Sequence, residues 1–421
     1  MKKEVLFLRN IIINGPCEVS GEVNIQGAKN SILPILAATI IARSECVIKN
    51  CPNILDVHTS LEILNYLGCK TKYEGSNVIV DSSQISKNEI PEKLMRKMRS
   101  SIIFLGALIA RTGRAKLTFP GGCELGPRPI DLHISALKQL GISIDNIHGN
   151  LECKIENKII GTDIVLPFPS VGATENIILA SSICSGTTTI ENAAREPEIV
   201  DLARFLNKIG AKIHGAGSSK IIIEGTHKFN SSEHYIIPDR IVAITLMAAA
   251  ASTGGNLTLK NIKTDLISSA IPIFEESGCL IKTYEKNIKI LSPETLYSVK
   301  EVRTMPYPGF PTDAQAIIMA MLSKAIGTSV FVETIFESRF KHTEELIKLG
   351  AKIKINGNVA IIGGNKYLSG AKLQAYDLRG AAALTIAGLA AYGKTTISGA
   401  DYFLRGYDLS MFPNILTISE Q

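Results

Sequence analysis

The chain has 421 residues, 45% hydrophobic and 20% charged, with 34 Gly, 17 Pro, 8 Cys and no Trp. That length gives two or three domains, each able to bury its own core, and the apolar fraction excludes a disordered or collagen-like chain. A net charge of +6 with no Lys/Arg block, beside 6% aromatics, argues against a nucleic-acid partner and suits anionic small molecules.

The first apolar stretch, Val5–Leu8, is cut short by Arg9 and Asn10, too soon for the core of a signal peptide. The longest apolar runs, such as Ile241–Ala251, stop short of the ~18–20 residues a membrane-spanning helix needs. The eight cysteines are scattered without a CxxC pair, which reads as reduced thiols in a cytoplasm. The seven His residues form no HExxH and no Cys/His ligand spacing, so neither a metal nor another cofactor is expected.

Along the chain one element recurs: an apolar helix rich in small residues, a Gly or Ser turn, then a short β-branched strand. Its copies are Ser31–Ala42, Ser100–Arg111, Thr174–Ser182, Ile241–Ala251, Ala314–Ala325 and Ala381–Ala391, with turns at Ser44, Gly113, Gly186, Gly254, Gly327 and Gly393. The period is about 70 residues, longer than the ~20–50 usual for a solenoid. A second, amphipathic helix keeps the same beat and ends at Gly68, Gly141, Gly210, Gly278 and Gly350, where a glycine C-cap fits. Strands such as Lys220–Glu224, Ser329–Val332 and Val359–Ile362 fill the intervals. Six such units suggest two domains of three, with a boundary near Ser231–Pro238. Helices with so few charges should be buried on most sides, which calls for helices inside and sheets outside.

The residues leading into these helices are charged or polar: Lys29-Asn30, Arg99, Asp239-Arg240, Thr312-Asp313 and Arg379. Helix N-termini offer unpaired N–H groups and partial positive charge, so converging ends would attract anions. A literal Walker A string at Gly388–Thr395 is rejected, because a P-loop follows a strand and opens a helix, and here the order is reversed. Gly393 is read as a helix C-cap instead. The stretch Gly21–Lys29 also misses the P-loop spacing.

The loop from Phe119 to His133 holds three glycines and three prolines and cannot be helix or strand interior. Its Cys123 lies five residues from Arg128, whose guanidinium would favour the thiolate. From the residues alone, a reactive thiol and an incidental loop cysteine both stand.

GEVNIQGAKNSILPILAA (Gly21–Ala38), KMRSSIIFLGALIAR (Lys97–Arg111) and PGGCELGPRPIDLH (Pro120–His133) resemble segments of the UDP-N-acetylglucosamine 1-carboxyvinyltransferase family of enolpyruvyl transferases. So do PSVGATENI, NAAREPEIVDLARFL, FPTDAQA, ETIFESRF, AYDLRGAAAL and RGYD, and the resemblance covers nearly the whole chain. It implies an α/β fold of two inside-out α/β barrel domains, each of three βαβαββ-like repeats with buried helices and sheets outside. Residues 29–236 would form one domain, and 1–28 with 237–421 the other.

The resemblance also implies transfer of enolpyruvate from phosphoenolpyruvate to the 3-hydroxyl of UDP-N-acetylglucosamine, releasing phosphate, the first committed step of peptidoglycan synthesis. Both partners are small molecules, with no nucleic acid and no membrane. Cys123 matches the general acid, whose thiolate can also add covalently, and Asp313 matches the carboxylate that takes or orients the sugar hydroxyl proton. Lys29, Arg128 and Arg405 match cations that hold phosphate and carboxylate, with Asn30 beside them. Asn30, Arg99, Arg128, Pro129, Ile130, Asp131, Leu132, Ser170, Val171, Gly172, Asp313 and Ile335 match nucleotide-sugar contacts. Asp377 and Arg379 match supporting site residues. His133 is read as orienting the loop, Glu196 and Glu198 as pairing with Arg195 or neighbours, and Arg339, Arg240 and Asp239 as structural ion-pair candidates.

Two departures from the family pattern stand out. Leu404 replaces the usual acid before Arg-Gly-Tyr, and the tail YDLSMFPNILTISEQ lacks the usual closing helix and strand, with Pro413 as a helix breaker. The sixth repeat is therefore expected to be incomplete. Alternatives are the sister reaction on shikimate 3-phosphate, which the Cys123 loop argues against, and an impaired paralogue that binds UDP-N-acetylglucosamine as a regulatory module.

Overall fold

Short strands with one buried and one solvent face need a partner layer, and here the partner is a set of helices buried on every side. The computed structural model describes residues 9–119, 130–147, 149–412 and 416–419. They divide into two compact units, one of residues 27–237 and the other of 9–26 with the chain from 238 onward. The chain passes between the units at Gln26/Gly27 and at Ile237/Pro238.

Each unit carries three four-stranded sheets with one strand order repeated: a parallel edge strand, then two antiparallel steps. In the 27–237 unit the first sheet runs Ser232–Tyr235, Glu45–Lys49, Asn77–Asp81, Lys70–Glu74. In the other unit the sixth sheet runs Lys372–Gln374, Gly393–Ser398, Asn10–Gly15, Thr417–Ser419. An inner strand of the last repeat thus comes from the N-terminal end of the chain. Alternating burial in strands such as Val359–Gly363 and Asn77–Asp81 turns one face to the helices and the other outward.

The central helices are Lys29–Ala42, Phe104–Thr112, Val171–Ser181, Arg240–Thr253, Thr312–Leu322 and Leu378–Ala390. Every residue of Leu378–Ala390 is buried, as is all of Arg240–Thr253 except Thr253. Ala and Gly allow this close approach between helices. A Cβ on Gly106 would lie 2.6 Å from the Asn176 carbonyl oxygen of the neighbouring helix. The second helices end as expected in left-handed glycines, Gly68 at φ 107° and Gly210 at φ 117°.

Three details differ from expectation. The helix expected over Ser100–Arg111 begins as a 3₁₀ turn, Arg99–Ile103, because the Ser101 hydroxyl donates to the carbonyls of Met95 (2.9 Å) and Met98 (2.8 Å). Gly393 has φ 94° but opens the strand Gly393–Ser398, while the preceding helix ends at Ala390 and is capped by Ala391. Helix still runs into strand there, the reverse of a P-loop. The sixth repeat does have its outer strand, Thr417–Ser419, paired antiparallel with Asn10–Ile12. What is shortened is its second helix, reduced to Ala400–Leu404 and a 3₁₀ turn at Leu409–Met411. Phe403, stacked on Tyr407 with ring centroids 4.7 Å apart, and Phe412 fill the space beneath it. Pro413 lies outside the described residues.

Replacing Gly106 with alanine forces apart two helices at a buried contact, Gly106 against Asn176. The expected cost is about 1–3 kcal/mol, the usual scale of overpacking, read as a lower urea midpoint for the variant.

Candidate active site

In the 27–237 unit, Lys29 opens its central helix and is buried, with Nζ 2.9 Å from Oδ2 of the buried Asp56. A lone buried ammonium would be costly, and the carboxylate offsets that cost. The N-cap residue, Ala28, supplies no side-chain cap, and its carbonyl accepts the N–H groups of Ser31 (3.1 Å) and Ile32 (2.9 Å). Asn30 follows, half-buried. Ser31 donates to the buried carboxylate of Asp201, which also accepts from the Ile237 N–H at 3.3 Å and bonds His234 at 3.0 Å.

A second group in this unit surrounds His133. Its Nδ1 lies 2.8 Å from Asn176 Nδ2 and accepts from it, which places the proton on Nε2. The orientation of the Asn176 amide follows from Oδ1 accepting the buried Gly106 N–H at 2.7 Å. His133 is pushed down to about 4, mainly by burial and then by the charge of Arg99, with Asp131 opposing both. The imidazole is therefore neutral. Gly172 packs on this ring, and a Cβ there would come within 2.9 Å of His133 Cε1. Ser170 caps the Val171–Ser181 helix by accepting from the Ala173 N–H at 3.4 Å. Ile130 is buried before the Asp131–Gln139 helix, Asp131 is exposed in its first turn, and Leu132 and Val171 are half-buried. Arg99, Asp131, His133 and Gly172 thus belong to one neighbourhood.

In the other unit, Asp313 sits in the first turn of Thr312–Leu322, held at both oxygens. Arg339 donates to Oδ1 at 3.0 Å and Arg379 to Oδ2 at 2.8 Å. The two arginine side chains are 3% and 6% exposed and the carboxylate 29%, so the acid is the accessible end of this triad. Burial opposes the charge on Arg379, but Asp313, Tyr407 and Asp239 outweigh it and hold the guanidinium above its ordinary pKa. Behind it runs a buried relay: Arg379 donates to Tyr407 Oη (3.2 Å), which bonds Thr245 Oγ1 (2.9 Å), which donates to the Ile241 carbonyl (2.7 Å). Asp377 caps the Leu378–Ala390 helix, accepting the N–H groups of Arg379 and Gly380, and Asp239 caps Arg240–Thr253 in the same way. Arg339 is therefore a partner of Asp313. Arg405 is half-buried at the end of Ala400–Leu404, its N–H donating to the Asp401 carbonyl at 3.1 Å.

Sequence reasoning missed Glu333. It is 2% exposed, and its carboxylate gathers the N–H of Ile335, the N–H of Phe336 and the hydroxyls of Thr304 and Thr312. A single acid just past a strand carries no periodic signal of burial, so only the fold reveals it.

The model of the EPSP synthase (3-phosphoshikimate 1-carboxyvinyltransferase) family matches residues 13–413. The chain belongs to this family of enolpyruvyl transferases. It is 50% identical over 396 residues to UDP-N-acetylglucosamine 1-carboxyvinyltransferase 2 of Caldanaerobacter subterraneus subsp. tengcongensis, covering 94% of this chain and 95% of that one. It is 45% identical to UDP-N-acetylglucosamine 1-carboxyvinyltransferase 1 of the same organism, covering 92% and 93%. Among solved structures, the enolpyruvyl transferase NikO of Streptomyces tendae superposes with a TM-score of 0.88 at 23% identity, covering 98% and 99% of the two chains. EPSP synthase of Acinetobacter baumannii gives a TM-score of 0.74 at 17% identity, covering 98% and 100%. The enolpyruvyl transferase fold accounts for the repeated sheets.

Cys123, Arg128 and Pro129 lie outside the described residues of this enolpyruvyl transferase. Among the described cysteines, Cys46, Cys51, Cys69, Cys153, Cys184 and Cys279 are buried, and burial pushes their thiols up to about 11 or 12. Such thiols are poor nucleophiles at neutral pH.

The depressed His133 sets a pH dependence. Between its ordinary 6.5 and about 4 the unfolded chain takes up a proton that the folded chain refuses, so stability falls as pH drops through that window. His342, held near 4 mainly by burial, acts in the same direction. Urea unfolding between pH 6.5 and 4.5 should show a steeper loss for the parent than for His133→Gln, by up to about 1.4 kcal/mol per pH unit.

Proposed function

We propose that this enolpyruvyl transferase moves the enolpyruvyl group of phosphoenolpyruvate onto the 3-hydroxyl of UDP-N-acetylglucosamine and releases phosphate. The observation that carries this reading is 50% identity across 94% of the chain to a protein named for that reaction. Its two domains are taken as 29–236 and 1–28 with 237–421, each boundary between them within two residues of that dividing the units 27–237 and 9–26 with 238 onward. The setting is the cytoplasm, with small-molecule partners, no nucleic acid and no membrane surface, in the service of peptidoglycan synthesis. Among the described residues no helix is long and apolar enough to cross a membrane.

In this reading the sugar 3-oxygen forms a bond to C2 of phosphoenolpyruvate while Asp313 takes up or orients the hydroxyl proton. Cys123 delivers a proton to the methylene carbon, giving a tetrahedral phosphate ketal. The C–O bond to phosphate then breaks, and a proton leaves the new methyl group to restore the alkene. Lys29, Arg128 and Arg405, with Asn30, hold the phosphate and carboxylate through both steps, a role in which fixed cations are worth most in a dry site. Arg99, Arg128, Pro129, Ile130, Asp131, Leu132, Ser170, Val171, Gly172 and Ile335, with Asn30 and Asp313, receive the nucleotide sugar. Asp377 and Arg379 support Asp313: Arg379 binds its carboxylate, and Asp377 caps the helix that presents Arg379.

Phosphate release from phosphoenolpyruvate should depend on added UDP-N-acetylglucosamine, should not be elicited by shikimate 3-phosphate, and should fall at least about 100-fold in Cys123→Ala, the scale of lost general acid catalysis. Sugar binding without phosphate release in the parent would replace the transferase with a binding module. A reactive Cys123 also predicts covalent capture of the epoxide fosfomycin: the thiolate opens the ring, a C–S bond forms, and the released oxygen takes a proton. Intact mass should rise by one fosfomycin in the parent and stay unchanged in Cys123→Ala.

A further inference from the structure

Three segments of the 238–421 portion end at one buried carboxylate. The strand Glu301–Arg303 runs into Thr304, whose hydroxyl donates to Glu333 Oε1 at 3.0 Å. The helix Thr312–Leu322 begins with Thr312, whose hydroxyl donates to Glu333 Oε2 at 3.0 Å. The loop after the strand Thr328–Val332 folds back so that the N–H groups of Ile335 and Phe336 donate to Oε1 at 2.8 and 3.2 Å. Thr304 is tied in twice more: its Oγ1 accepts the Thr334 N–H at 2.9 Å, and its carbonyl accepts the Thr334 hydroxyl at 2.6 Å. Asn358 Nδ2 donates to the Glu333 carbonyl at 3.1 Å and fixes the backbone of the same residue.

The consequence is a fixed spacing between two parts of the candidate site. Thr312 precedes Asp313, and its own carbonyl accepts from the Arg339 guanidinium that also holds Asp313. Ile335 is on the opposite arm of the same carboxylate. We infer that Glu333 is a positioning residue, whose carboxylate holds the Ile335 loop and the Asp313 helix turn in the register needed to receive the nucleotide sugar. This inference rests on the proposed transferase reading, which gives Ile335 and Asp313 their contacts with the sugar nucleotide.

Three variants separate positioning from bulk stability. Glu333→Ala leaves two N–H groups and two hydroxyls without their acceptor. Glu333→Gln keeps a carbonyl for the loop N–H groups and can donate its amide to Thr312 Oγ1. Thr312→Val keeps the shape and removes one arm. KM for UDP-N-acetylglucosamine should rise about tenfold or more in Glu333→Ala and about threefold or more in Thr312→Val, the scale of lost hydrogen bonds to a charged group. It should stay within about threefold of the parent in Glu333→Gln, and KM for phosphoenolpyruvate should stay within about twofold throughout, since the lost bonds serve the sugar arm. A stability effect alone would reduce the active fraction, lowering kcat with both KM values unchanged.

Sugar KM within about twofold of the parent in both Glu333→Ala and Thr312→Val, less than one lost bond of this kind, overturns the inference. If Glu333→Ala fails to fold, Thr312→Val decides by itself. The same variants titrated calorimetrically with UDP-N-acetylglucosamine distinguish the two proposals. A parent that binds without turnover removes the transfer reaction and leaves the binding ratios to judge Glu333. A parent that neither binds nor turns over overturns both.

Discussion

A helix buried on every side can present polar chemistry only at its ends, and that constraint shapes both units. The bodies of Leu378–Ala390 and Arg240–Thr253 are lined with Ala, Gly, Ile and Leu because three sheets and two neighbouring helices leave no solvent face. Their first turns carry what the bodies cannot. Asp377, Asp239 and Ser170 cap first-turn N–H groups, while Lys29, Asp313 and Arg379 place charge in or beside the first turn.

Charge brought so close to an apolar core has to be matched. An unpaired buried ion costs several kcal/mol, and Lys29, Asp313 and Arg379 each meet an opposite charge within about 3 Å. Lys29 meets Asp56, and Asp313 meets Arg339 and Arg379. Glu333 is matched differently, by four neutral donors, which leaves it committed to holding segments in place. His133 solves the same problem by staying neutral, its ring fixed by Asn176 and shielded by Gly172.

Much of this was legible before any coordinates. The roughly 70-residue beat located all six central helices, since an apolar stretch rich in small residues has few other places to go in a water-filled cell. The glycine terminators at Gly68 and Gly210 were legible because left-handed backbone selects for them. The resemblance marked Asp313, Arg379 and Gly172 as site residues, and the structure supplies a physical environment for each. Less legible were the 3₁₀ start at Arg99, set by one serine hydroxyl, and Gly393, which lies three residues beyond the last residue of its helix.

By itself the sequence determined the number of repeats, the burial of their helices and the concentration of charge at helix starts, because all three are written in local composition and period. Only the tertiary structure decided that the strand Asn10–Gly15 completes the sixth sheet, nearly four hundred residues away from its partners. It also decided that a tail without a long closing helix still ends in a paired strand, and that Glu333 binds three segments together. Such pairings depend on which groups meet across space once the chain is folded, and neither propensity nor periodicity carries that information.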